Sequence, residues 1–316
     1  MSADLSLSIG FPRALMPEEK RIALLPEQVA GMKHPDRLFF ESGYGEKCGF
    51  PDSDYTNAGA NICGKKKAHN LEGICIPKFT DEHLPHMHAN GQTAFGWFHF
   101  YRGMPLIKDF VRKENTAIAW ECMFDQNGTN IFLRNGLLTG NLAVLDSIAH
   151  AGIIPEELKV AIIGRGRVGT GARSQLEALG VKQITVYHTR NTHLLKRNLG
   201  KYDMVVGAAC CEHEILDRSD LKQLKPGALL VDIGSNCIGC GVYFAGEELA
   251  PFTKINRGKN LAYCFHHVPT LAYKTASRYI SEDVAPFIDD LTERFSGAVL
   301  NKATVIYRGK VFPERF

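Results

Sequence analysis

The run Lys159-Val-Ala-Ile-Ile-Gly-Arg-Gly-Arg-Val-Gly-Thr-Gly-Ala constrains the fold of this chain more than any other stretch. Apolar residues from Val160 to Ile163 predict a buried strand, and a helix is expected from near Val168, with Gly164, Gly166 and Gly169 in the turn. Gly164 permits a tight turn, Gly166 lets backbone approach a ligand, and Gly169 lets helix and strand pack closely. Arg165, Arg167 and Val168 complete the turn. A helix that starts there presents free N–H groups and its positive dipole end, which favours an anion such as the diphosphate of a dinucleotide.

The context supports that reading. Gln183 to Tyr187, Met204 to Val206 and Leu229 to Ile233 are further apolar runs alternating with helical stretches, as a doubly wound parallel sheet requires. The second strand ends in His188-Thr-Arg190-Asn, with no Asp or Glu to hold ribose hydroxyls. An acid there repels a 2′-phosphate, whereas an arginine pairs with one, so NADPH is expected rather than NADH, with His188 and Arg190 beside it.

At 316 residues the chain is expected to hold two α/β domains of roughly 150 residues each. In the first third, Leu5 to Gly10, Leu38 to Glu41, Gly73 to Ile76 and Thr116 to Cys122 read as strands, and Pro26 to Met32 as helix. A polar turn, Asp125 to Asn130, precedes a helical pattern from Gly140 to Ala151 that is expected to bridge the domains; a second such pattern runs from Ser277 to Phe295.

A formal charge of +3 with scattered basic residues gives no nucleic-acid surface. No run approaches 18 apolar residues and no leader pattern opens the chain, so neither a membrane nor export is expected. Nine cysteines fit reduced thiols in the cytoplasm. Cys237-x-x-Cys240 and Cys210-Cys211 read as small thiols, and His83-x-x-His86-x-His88, flanking Pro85, as an exposed helix end, so no metal is expected.

Glu19-Lys-Arg-Ile-Ala-Leu-Leu-Pro, Gly43-Tyr-Gly, Asp54-Tyr-Thr-Asn-Ala-Gly-Ala, Pro77-Lys-Phe-Thr and Gly96-Trp-Phe-His-Phe together resemble the alanine dehydrogenase and pyridine nucleotide transhydrogenase N-terminal family. The compact length, Gly152-Ile-Ile-Pro and Pro269-Thr-Leu-Ala-Tyr-Lys bring it nearest to the N5-(carboxyethyl)ornithine synthase branch. That resemblance implies two Rossmann-like domains, doubly wound parallel sheets with a cleft between them. Residues 1–125 with 275–316 would be the substrate domain, and 126–274 the dinucleotide-binding domain. It also implies reductive condensation of a pyruvate-like 2-oxo acid with the amine of an ornithine- or lysine-like amino acid, by hydride transfer to an imine. A homo-oligomer is the default assembly.

By the same resemblance Arg21 grips the oxo-acid carboxylate, Lys78 contacts the substrate oxygen and His99 shuttles the proton. The chain departs from the family twice. Asn236 stands where the family has an aspartate, and His267 where it usually has an asparagine, which suggests that acid–base work has moved from position 236 to 267. Two alternatives remain open: an alanine dehydrogenase using ammonia, and a catalytically silent NADPH-binding protein.

Overall fold

Short apolar segments of the first 120 residues supply six parallel strands: β1 (Ile9–Phe11), β2 (Leu38–Glu41), β3 (Asn61–Cys63), β4 (Gly73–Lys78), β5 (Thr93–Trp97) and β6 (Thr116–Ala119). They lie in the order β6-β5-β4-β1-β2-β3, and the antiparallel strands Thr304–Tyr307 and Lys310–Val311 extend the β6 edge. The computed structural model describes residues 7–100, 104–188, 190–211, 213–234, 237–238, 252–265, 267–294 and 297–312. The chain divides into two units, Met1–Phe132 with Ala272–Phe316, and Leu133–Leu271.

In the first unit the helix Tyr273–Thr292 packs Ile280, Val284 and Ile288 into the core that holds Phe11, Phe40 and Trp97. The hydroxyls of Ser277 and Ser281 accept the backbone N–H groups of Ile22 and Leu25 at 3.0 and 2.8 Å, pinning the segment after β1. Pro77 cannot donate to a ladder, and β4 shifts register between Ile76 and Lys78, where a bulge absorbs the missing bond. Gly96 faces that bulge: a Cβ there would lie 1.9 Å from the Ile76 carbonyl oxygen.

The second unit holds β7 (Lys159–Ile163), β8 (Gln183–Tyr187), β9 (Met204–Gly207), β10 (Leu229–Asp232), β11 (Phe252–Ile255) and β12 (Asn260–Tyr263). Their order is β11-β12-β10-β9-β7-β8, parallel except for β11. The two sheets bear out the α/β, doubly wound expectation. The helix expected from Gly140 begins earlier, at Leu133, and runs to Ala151. Glycines let it pack closely against the helix Arg167–Ala178: a Cβ on Gly140 would meet Val168 O at 2.0 Å, and one on Gly171 of the facing helix would meet Leu137 O at 2.1 Å.

Candidate active site

In open parallel sheets, ligands bind beyond the carboxyl ends of the strands, where the strand order reverses. In the first unit that reversal falls between β1 and β4. Lys78 ends β4, Trp97 ends β5, and Arg21 follows β1. Trp97 links the three expected residues along the chain and across the sheet. It is the cross-strand partner of Lys78, the Arg21 guanidinium lies 5.4 Å from its ring centre, and His99 is two residues further on.

Arg21 is buried and held side-on by Glu19: Nε donates to Oε1 at 2.7 Å and Nη2 to Oε2 at 2.5 Å, while the Arg21 backbone N–H also donates to Oε1 at 3.0 Å. A side-on pair uses one edge of the guanidinium fork, and the Nη1–Nη2 edge has the geometry for a second carboxylate. Arg13, Lys20, Arg21 and Lys47 line a small pocket of about 40 Å³ against a single described acid, Glu19. That balance of charge suits an anion.

His99 is half-buried and adopts φ +51°, in the left-handed region that bulky L-residues avoid. Glu121, in the turn Trp120–Cys122 after β6, accepts the His99 N–H at 2.6 Å and the Phe98 N–H at 3.3 Å. One carboxylate therefore fixes the backbone that carries the expected proton shuttle. Neither Glu19 nor Glu121 was expected as a site residue. The acid two residues before Arg21 is a signal visible in the sequence, but Glu121 carries none, since its partner lies 22 positions away.

In the second unit the reversal falls between β7 and β9, at the glycine turn. Gly164 takes φ +113° and its N–H donates to Tyr187 O at 2.8 Å. A Cβ on Gly164 would come within 2.8 Å of Ala208 O, one on Gly169 within 2.3 Å of Gly164 O, and one on Gly166 would meet nothing within 4 Å. The first and third glycines serve close packing, then, and the second leaves room for a ligand. The helix Arg167–Ala178 is capped by Gly166 with no side-chain hydrogen bond and carries no acid in its first turn. Those residues fit a dinucleotide diphosphate. Beside them, at the end of β8, the His188 N–H donates to Asn191 Oδ1 at 2.7 Å and Arg190 is exposed.

His267 is buried in the turn after β12, its carbonyl accepting the Thr270 N–H at 2.8 Å and its ring 6.4 Å from Phe265. Asn236 and Cys240 lie outside the described residues. Cys237 is buried and Cys211 partly so, and burial raises both thiols. Among the described residues no group of three His, Cys, Asp or Glu is arranged to hold a metal. His83 corrects the expectation of an exposed helix end. It is buried and its Nδ1 accepts the Thr80 N–H at 3.1 Å, because the turn Asp81–His86 folds the ring back as part of a capping box.

Two sheets with reversed strand order and a glycine turn opening a helix define a doubly wound α/β protein of the dinucleotide-binding kind, and comparison with known proteins gives its family and its class, an oxidoreductase. Residues 10–134 match Alanine dehydrogenase/PNT, N-terminal domain, and residues 171–314 match Alanine dehydrogenase/PNT, C-terminal domain. The chain belongs to the alanine dehydrogenase/PNT family. It is 26% identical to N(5)-(carboxyethyl)ornithine synthase of Lactococcus lactis subsp. lactis, over 87% of this chain and 93% of that protein. It is 23% identical to alanine dehydrogenase of Mycolicibacterium smegmatis, over 97% and 95% respectively. A solved L-alanine dehydrogenase shares the fold with a TM-score of 0.78 at 19% identity, covering 97% of each chain.

Proposed function

We propose that this protein is an NADPH-dependent reductase that joins a pyruvate-like 2-oxo acid to the amine of an ornithine- or lysine-like amino acid, giving an N-(carboxyethyl) amino acid. The observation that carries the reading is that Arg21 lies over Trp97, the last residue of β5, while Lys78 ends the neighbouring strand β4 as the register partner of Trp97 and His99 follows two residues later, at the same carboxyl end of the sheet. Arg21 offers its outer edge to the oxo-acid carboxylate. Lys78 polarises the carbonyl oxygen, which raises the electrophilicity of the carbon that the amine attacks. Loss of water leaves an imine, and His99 manages the protons that enter and leave. His267 supplies the acid–base function that the family aspartate would have supplied at position 236.

The glycine turn 164–169, with Arg165, Arg167 and Val168, holds the diphosphate, and His188 and Arg190 face the adenosine end, where Arg190 pairs with a 2′-phosphate. The chemistry that this group supplies when bound is a hydride to the imine carbon. A bulky, cationic amine donor distinguishes this activity from ammonia-using alanine formation. We place the enzyme in the cytoplasm as a homo-oligomer.

Mass spectrometry of the product made from pyruvate, ornithine and NADPH tests the proposal. A secondary amine that carries both carbon skeletons supports it. Alanine as the sole product, formed only when ammonia is present, overturns it.

A further inference from the structure

Gly136, on the helix Leu133–Ala151, and Arg167, the first residue of the nucleotide helix, are fitted to each other. A Cβ on Gly136 would lie 2.2 Å from Arg167 Cδ, 2.3 Å from Cγ and 2.7 Å from Nε. The three nearest obstacles all belong to one side chain. The other glycines of this helix pair behave differently, since a Cβ on Gly140 or Gly171 would strike backbone, at 2.0 Å from Val168 O and 2.1 Å from Leu137 O. Gly140 and Gly171 let the helices approach, whereas Gly136 makes room for an arginine stem.

We infer that Gly136 is a seat that positions Arg167 as a cation for the diphosphate of the bound dinucleotide, an inference that rests on the cofactor reading above. An arginine stem has many rotamers, and a ligand that must order it loses affinity for doing so. Arg167 is half-buried and opens the nucleotide helix, so its stem, laid against Gly136, is anchored at the end of that helix where the uncapped N–H groups lie. Charge and donors then act on one anion. The diphosphate is common to NADPH and NADH, so this seat serves both, unlike Arg190, which reads the 2′-phosphate.

Dissociation constants of the full-length protein for NADPH and for NADH, with thermal midpoints, test this in the wild type, G136A, R167A and G136A/R167A. R167A and G136A are each expected to weaken both dinucleotides by about tenfold, the scale of one charge-assisted hydrogen bond. The double variant is expected to bind no more weakly than R167A alone, because the seat has lost its occupant. If G136A melts lower than the wild type, the double variant recovers the midpoint when Arg167 is the obstacle. Wild-type affinity in G136A, additive losses in the double variant, or a midpoint that stays low there overturns the seat and leaves plain helix packing. Failure of the wild type to bind either dinucleotide overturns the cofactor reading, and the seat with it.

Discussion

The carboxylate of Glu121 accepts the backbone N–H of His99 at 2.6 Å while His99 sits at φ +51°. A left-handed residue costs roughly 1–2 kcal/mol, and a charge-assisted bond from the carboxylate offsets that. Glu121→Ala is therefore expected to let His99 relax and to lower kcat by up to about 100-fold, the cost of a small misplacement of a reacting group. The KM for the dinucleotide is expected to stay as it was, and Glu121→Gln, which keeps one acceptor, to fall between. Steady-state kinetics check this, and wild-type kcat in the alanine variant would show that His99 is held by other means.

Glu19 and Arg21 form a buried pair, their side chains 2% and 5% exposed. Removing one partner of such a pair leaves a charge without compensation, at a cost of about 3–5 kcal/mol. Glu19→Ala should lower stability on that scale in urea denaturation. Arg21→Lys keeps the charge but loses the fork, so it should raise the KM for the oxo acid while sparing the dinucleotide. A Glu19→Ala protein as stable as the wild type would mean that the pair is solvated in solution.

Burial holds His83 down to about 4, and it also lowers His69. Between that value and the ordinary histidine value of about 6.5, the unfolded chain binds more protons than the folded one, so stability falls as pH drops through this window. For His83 the full loss is about 3 kcal/mol, reached below about pH 4. His83→Asn retains an acceptor for Thr80 and cannot titrate. Its stability should decline less steeply from pH 6.5 to 4 than that of the wild type, read by denaturant midpoints at each pH. Parallel profiles would show that His83 keeps its ordinary proton affinity.

Arg190 is exposed at the end of β8, its N–H donating to His188 Nδ1 at 3.3 Å. Arg190→Asp should weaken NADPH by about tenfold or more through loss of the phosphate pair and gain of a repulsive charge, and should improve NADH binding through the ribose hydroxyls. Titration with both dinucleotides measures the ratio. An unchanged ratio would place the 2′-phosphate elsewhere.

Much of the nucleotide unit is legible in the sequence because its central strands β7, β9 and β10 are buried on both faces. Val160 to Ile163 and Leu229 to Val231 are unbroken apolar runs, and Gly164, at φ +113°, stands where the tight turn after β7 needs a glycine. Strand β5 was harder to read. Thr-Ala-Phe-Gly-Trp carries a glycine and no alternation, and Gly96 is there to admit the bulge opposite, a fact about β4 and not about β5. The helix Leu133–Ala151 was cut short for a similar reason, since Gly136 and Gly140 weaken a helix in isolation and are explained only by the helix against them. Lys78 and His99 came from motif likeness, whereas Glu121 needed the fold, because β6 lies beside β5 only in space.

The most direct test of the central claim is the initial rate of NADPH oxidation with pyruvate and, in turn, ornithine, lysine, arginine and ammonia, with NADH as control. A reductase of the proposed kind turns over with a basic amino acid and NADPH, and slowly or not at all with ammonia. Turnover with ammonia alone would contradict it and make the protein an alanine dehydrogenase, and tight NADPH binding with no turnover on any amine would make it a binding protein.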